Sequence, residues 1–189
     1  ANEDFSCFRS IVGSSIFTPS DNQTTKLIAQ DILTKPKFSY VRLDRDKQHD
    51  LQPKINSTDY KNGFKIFGKV VENKIAVISH GKIFHDCIQA FKQKKNKYIL
   101  INLFRSKPFP INLAKSVKKI KNFLVVDEQT PSGNLSSCVF EGFRDKNFFP
   151  KIISKSLPER YFFENGGREY LLNKFGLSKK DILKATKDF

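Results

Sequence analysis

Apolar residues along this chain fall into two recurring patterns, short β-branched runs and longer stretches with apolar positions three to four apart. Residues 38–43, Phe-Ser-Tyr-Val-Arg-Leu, have the first pattern and read as a strand. Before them, Pro19-Ser20-Asp21 opens a predicted helix carrying Leu27, Ile28, Ile32 and Leu33. Residues 44–63 lose all periodicity, and Asp44, Asp46, Asp50, Pro53, Asn56, Ser57, Asn62 and Gly63 mark them as a linker. Strands are predicted at 64–71 and 76–79. A helix with Ile83, Phe84, Cys87, Ile88 and Phe91 on one face then leads to a strand of the buried type at 98–103.

The plan repeats in the second half. Pro108 and Pro110 precede a helix bearing Leu113, Val117 and Ile120, then a strand at 123–126, Gly133, and a helix with Leu135, Cys138 and Val139. A last strand at 151–155 comes before two short helices, the second opened by a capping box of Ser178 with Asp181. Strands separated by helices imply parallel pairing through crossovers, so the fold class is α/β, a mostly parallel sheet with flanking helices. Residues 64–189 read as a complete domain of that kind. Residues 1–46 supply a helix and a strand or two, too little to cover a sheet, and read as the remnant of an incomplete α/β domain joined through a linker at 47–63. An exposed sheet edge in that remnant would invite association.

Composition narrows the function classes. The 189 residues are 39% hydrophobic and 28% charged, which excludes a disordered polyelectrolyte. No apolar run is long enough for a membrane span, and Asn2, Glu3 and Asp4 do not begin a signal sequence, so a soluble, cytoplasmic protein with no membrane partner is expected. The complete lack of Met, position 1 included, reads as a chain processed or cut from something longer. Cys7, Cys87 and Cys138 are widely spaced and odd in number, and three scattered histidines accompany them, so neither a disulfide framework nor a metal site is expected. The net charge is +15, and it is uneven: residues 1–63 carry 9 basic and 8 acidic side chains, the remainder 25 and 11. Lys92, Lys94, Lys95 and Lys97, and again Lys115, Lys118, Lys119 and Lys121, cluster beside strand-like runs. Without interleaved exposed aromatics these read as solvated faces, and no nucleic-acid partner is expected.

Five blocks carry a more specific likeness. Glu3-Asp4-Phe5, Phe8-Arg9-Ser10 and Phe17-Thr18-Pro19-Ser20-Asp21 resemble a stretch of the transketolase family of thiamine diphosphate enzymes, in which an acidic pair precedes a helix, a short strand and a Pro-Ser-Asp turn. Tyr40-Val41-Arg42-Leu43-Asp44-Arg45 resembles the strand closing their pyrimidine-binding domain. Leu103-Phe104-Arg105-Ser106-Lys107-Pro108 is similar to a signature of their C-terminal domain, and so is Val126-Asp127-Glu128 followed by Gly133-Asn134-Leu135. Leu157-Pro158-Glu159-Arg160, Glu164-Asn165-Gly166-Gly167-Arg168-Glu169-Tyr170 and Phe175-Gly176-Leu177-Ser178 resemble its tail.

The resemblance implies the C-terminal section of a transketolase-like enzyme, the end of a pyrimidine-binding domain plus the C-terminal domain. The complete assembly would transfer a two-carbon ketol unit between sugar phosphates, using thiamine diphosphate and Mg2+. It would be a homodimer, or a heterotetramer with an N-terminal section or subunit. No catalytic, cofactor-binding or metal-binding residue carries over, since the family's catalytic glutamate lies upstream and Glu3 is not its counterpart; this chain alone is expected to be inactive and to bind neither cofactor nor metal. Arg45, with Arg42 as a second, corresponds to an arginine binding the substrate phosphate, where a guanidinium makes paired charge-assisted hydrogen bonds. The alternative for Arg45 is a structural ion pair with Asp44, Asp46 or Asp50. Asp127, Glu128 and Gly133 read as structural. Gly166-Gly167-Arg168 reads as a turn that lets the last helices fold back, rather than an anion-binding nest. Competing identities are a deoxyxylulose phosphate synthase, a 2-oxo acid dehydrogenase β-type subunit, and a non-catalytic basic interaction module.

Overall fold

The computed structural model describes residues 2–45 and 48–189. The division expected between 46 and 47 falls on Asp46 and Lys47 and lies outside the described residues. The chain opens with helix α1 (Asp4–Ser10), strand β1 (Ser15–Phe17), helix α2 (Asn22–Thr34), strand β2 (Ser39–Val41) and helix α3 (Ser57–Asn62). Next come β3 (Lys65–Phe67), β4 (Ile75–Ser79), α4 (Ile83–Phe91), β5 (Tyr98–Asn102) and β6 (Arg105–Lys107). The remainder is α5 (Ile111–Val117), β7 (Asn122–Val126), α6 (Leu135–Arg144), β8 (Lys151–Lys155), α7 (Gly167–Lys174) and α8 (Lys179–Ala185).

Five strands form the larger sheet in the order β3-β5-β4-β7-β8, parallel except for β3 at the edge. Period-two alternation sends Ala76, Ile78, Phe123 and Val125 to one face, under α5 and α6. Ile75, Val77, Leu124 and Val126 go to the other, under α4, α7 and α8. Burial on both faces explains why these strands are continuous apolar runs in the sequence. α6 carries a close approach: a methyl group on Gly142 would sit 2.2 Å from the Phe109 ring, so only glycine lets that ring lie against the helix.

The smaller sheet has the order β2-β1-β6, with β2 parallel and β6 antiparallel to β1. The opening segment is therefore not left with two strands of its own; a third comes from far along the chain. β6 also brings two cations that close two helices. Lys107 Nζ donates to the carbonyls of Arg9 and Ile11, at 2.7 and 2.6 Å, at the end of α1. Arg105 Nη2 donates to those of Lys61 and Asn62, at 3.0 and 3.1 Å, at the end of α3. Both satisfy carbonyls that a helix leaves unpaired at its C-terminus.

Several expectations need correction. Residues 57–62 are helical rather than structureless, held by a capping box of Asn56 with Asp59 and closed by left-handed Gly63. β3 covers 65–67 instead of 64–71, because the chain turns away at Gly68, whose φ is 108°. β2 covers 39–41 instead of 38–43. β3 pairs antiparallel with β5, and β6 antiparallel with β1. All three cysteines are free thiols; burial pushes the thiol of Cys138 up to about 12 and raises that of Cys87 as well, while Cys7 is exposed.

Candidate functional site

Ligands of parallel α/β sheets gather beyond the carboxyl ends of the strands, at the point where successive connections leave in opposite directions. Here that point lies between β4 and β7, since β4 is followed by β5 on one side and β5 by β7 on the other. The crevice is filled. His80, just after β4, and Asp127, just after β7, are both buried, with His80 Nε2 3.1 Å from Asp127 Oδ1. The other Asp127 oxygen accepts the Leu135 N–H at 2.9 Å, fixing the start of α6. Phe5 of α1, fully buried, meets the His80 ring edge-on at 5.5 Å. Burial would raise the Asp127 pKa, but the His80 charge and hydrogen bond, the Leu135 N–H and Arg42 outweigh it and hold the carboxyl below the usual range.

Beside this pair, Arg168 ties three elements together. Its guanidinium reaches Asp86 of α4 at 2.7 Å and also pairs with Glu128. Burial raises the Glu128 pKa despite the Arg168 charge. Gly166 makes the approach possible: its φ is 155°, and a Cβ there would lie 2.4 Å from the Tyr170 ring. The Gly-Gly-Arg motif thus forms a turn that delivers a cation to two half-buried acids. Asn134 caps α6 by accepting the Ser136 N–H at 2.8 Å, and the left-handed residue is Gly133.

Arg42 and Arg45 lie at the carboxyl end of β2. Arg42 Nε stands 3.6 Å from Asp4 Oδ2, and Tyr40 donates its hydroxyl to the same carboxylate; burial, and then this hydrogen bond, drive the Tyr40 pKa up to about 12. Arg45 is exposed. Asp44 Oδ2 accepts the Lys82 N–H and the Gln48 amide, each at 2.9 Å, and Asp50 lies 4.0 Å from Lys54; among the described residues Arg45 forms no ion pair with Asp44 or Asp50, and Asp46, the third acid expected as its alternative partner, lies outside them. Gly81 permits the Asp44 contact, because a Cβ there would sit 3.2 Å from Asp44 Oδ2. Pro19, Asp21, Leu43, Asp44 and Gln48 wall a cavity of about 150 Å³ next to this turn. The lysines of both basic clusters are exposed, as solvated faces require.

Sequence reasoning missed the union of Arg168 with Asp86 and Glu128, as well as the His80–Asp127 pair. Their separations along the chain exceed any local pattern; the one available signal was two acids directly after an apolar strand, at 127 and 128. Among the described residues no group of three or more His, Cys, Asp or Glu side chains is placed to hold a metal ion. Among them, too, no helix is long and apolar enough to cross a membrane.

Comparison with known proteins bears on this geometry. Residues 68–182 match the family model for the transketolase C-terminal domain. Transketolase-like protein 2 of Mus musculus is 24% identical over 193 residues, covering 100% of this chain and 30% of that protein. Transketolase of Homo sapiens is also 24% identical over 193 residues, covering 99% of this chain and 30% of its own length. The chain therefore spans about a third of these relatives. Among solved structures, a split gene transketolase described as an inactive beta4 tetramer superposes with a TM-score of 0.82 at 20% identity, over 100% of this chain and 61% of that one. Transketolase from Campylobacter jejuni superposes with a TM-score of 0.75 at 16% identity, over 99% of this chain and 28% of that one.

Proposed function

Because the chain belongs to the transketolase family through its C-terminal domain, we propose that it is the C-terminal portion of a transketolase-like enzyme whose complete assembly transfers a two-carbon ketol unit between sugar phosphates. Residues up to 46 are then the end of a pyrimidine-binding domain, 47–63 the linker, and 64–189 the C-terminal domain. Exposed apolar side chains around the smaller sheet, Leu33 at 80%, Phe38 at 54% and Leu43 at 61%, support a further section of protein covering that side. That section, or a separate subunit, is the proposed partner, in a homodimer or heterotetramer located in the cytoplasm.

Thiamine diphosphate supplies the carbanion chemistry when bound in such an assembly. The residues described here do not fit it or Mg2+: no metal-ligating cluster is present among them, and the switch-point crevice where a cofactor could enter is occupied by Phe5. Cofactor and metal are accordingly assigned to other parts of the assembly, and this chain alone to an inactive state. Its share is substrate binding and packing. The observation that carries this role is Arg45, exposed beyond the carboxyl end of β2 while its neighbour Asp44 is anchored to the Lys82 backbone. Such a guanidinium can give two parallel hydrogen bonds to the phosphate of a sugar. Arg42 is the second candidate, with one nitrogen already turned to Asp4.

In the assembled enzyme, Arg45→Ala should raise KM for phosphorylated sugars about tenfold or more and leave an unphosphorylated donor nearly unchanged. Equal effects on both kinds of substrate would remove the assignment.

A further inference from the structure

Along the β3 edge of the larger sheet lies an apolar hollow that substrate binding at Arg45 does not use. β3 ends after three residues, so its Phe67 and the neighbouring Leu100 of β5, on the same face, stay half-buried. Leu100 points to the α4 face, whereas Ile99 and Ile101, on the opposite face, are fully buried. Ile88 and Phe91, three residues apart and hence on one side of α4, form the facing wall. The enclosed volume is about 480 Å³, a size that small-molecule sites commonly have.

The rim has a different character. Lys92 and Lys95, just past the end of α4, line it together with Gln52 and Gln89, and among the described residues no acidic side chain contributes to the wall. An apolar floor with cations at one end is complementary to a molecule that is apolar along its body and negative at one tip. A neutral apolar compound would gain nothing from the lysines, and a cation would be repelled by them.

We propose that this hollow binds a small amphipathic anion, its aliphatic or aromatic body against Phe67, Ile88 and Leu100 and its carboxylate, sulfate or phosphate head at Lys92 and Lys95. The site is independent of the ketol-transfer assignment, sharing no residue with Arg45 or its surroundings.

Titration calorimetry of the full chain with sodium decanoate tests it, with 1-decanol as the neutral comparator. Saturable binding of decanoate is expected, about tenfold or more tighter than that of decanol. Charge reversal at the rim, Lys92→Glu with Lys95→Glu, should weaken decanoate about tenfold or more, and these exposed positions leave the fold intact. Ile88→Trp, which fills the hollow, should abolish binding while the circular dichroism spectrum stays unchanged. Absence of saturable heat, equal affinity for decanoate and decanol, or binding indifferent to both sets of substitutions overturns the proposal. Binding to phosphatidylglycerol vesicles without binding of free decanoate also overturns it, in favour of a membrane surface.

Discussion

The two sheets are held in different ways. The five-stranded sheet is covered on both faces by helices and enclosed by two large apolar clusters, in one of which Phe123 meets Phe143 and Phe148 edge to face. The three-stranded sheet has buried apolar residues too, Phe5, Ile16, Phe17 and Ile28, yet they join none of the three core clusters. It is fastened by polar contacts to residues distant in sequence: Lys107 to the end of α1, Arg9 to the Gly133 carbonyl and Glu141, Ser20 to Asn102, and the Thr18 N–H to the Phe104 carbonyl. Apolar burial is non-directional and tolerates small displacements, whereas hydrogen bonds fix direction. One sheet is therefore a self-sufficient core, and the other is an appendage set at a defined angle, which is what the substrate-binding role proposed for the arginine at its tip needs.

Removing core volume should have the largest effect. Phe123 is fully buried, its ring 5.2 Å from Phe143 and 5.8 Å from Phe148. Phe123→Ala is expected to cost about 3–5 kcal/mol, read as a fall in the urea midpoint. Because the smaller sheet borrows β6 from the same part of the chain, both sheets should be lost together in this variant. Separate transitions, with the smaller sheet surviving, would break the comparison.

A smaller effect is expected where the sheets meet. Asp127→Asn removes the charge facing His80 and should cost about 2 kcal/mol. The carboxyl of Asp127 lies below its usual range in the folded protein, so its contribution is present above the ordinary carboxylate pKa and disappears as pH falls through the folded value. Glu128 has the opposite sign: burial raises it, so the folded protein gains from its protonation and loses that gain as pH rises through the raised value. Urea midpoints across the acid range should show Asp127→Asn flattening the lower limb and Glu128→Gln the upper one. The same limb flattened by both variants would mean that the two acids titrate as one unit.

How much of this was legible follows the same division. β4, β5 and β7 stand within a residue of their predicted limits, because strands buried on both faces are written as apolar runs that need no partner to be recognised. β6 was invisible. Arg105-Ser106-Lys107 has no strand composition, and its pairing with β1 spans some ninety residues. α3 was missed because six polar residues show no amphipathic period, although Asn56 and Asp59 have capping-box spacing that local reasoning could have used. At the site, Arg42 and Arg45 are proposed through family likeness alone, while Arg168 with Glu128 and Asp86 emerges only after two helices and a strand are assembled.

The mildest substitution tests the appendage directly. Lys107→Met keeps the aliphatic stem and deletes the ammonium that closes α1 through the Arg9 and Ile11 carbonyls. A lost cation at a helix C-terminus, with its hydrogen bonds, is worth about 1 kcal/mol, too little to shift the unfolding of the five-stranded core by much. Its effect should be local. In hydrogen exchange, amides of α1 and β1 should open faster while those of β4, β5 and β7 keep their protection, since opening of a weakly anchored segment need not pass through the core. Arg105→Met should act in the same way on α3, whose end it closes from the same strand. If Lys107→Met instead lowers protection equally in both sheets, the polar fastening is part of the core's own cooperativity, and the smaller sheet is not an appendage but a third layer of one unit.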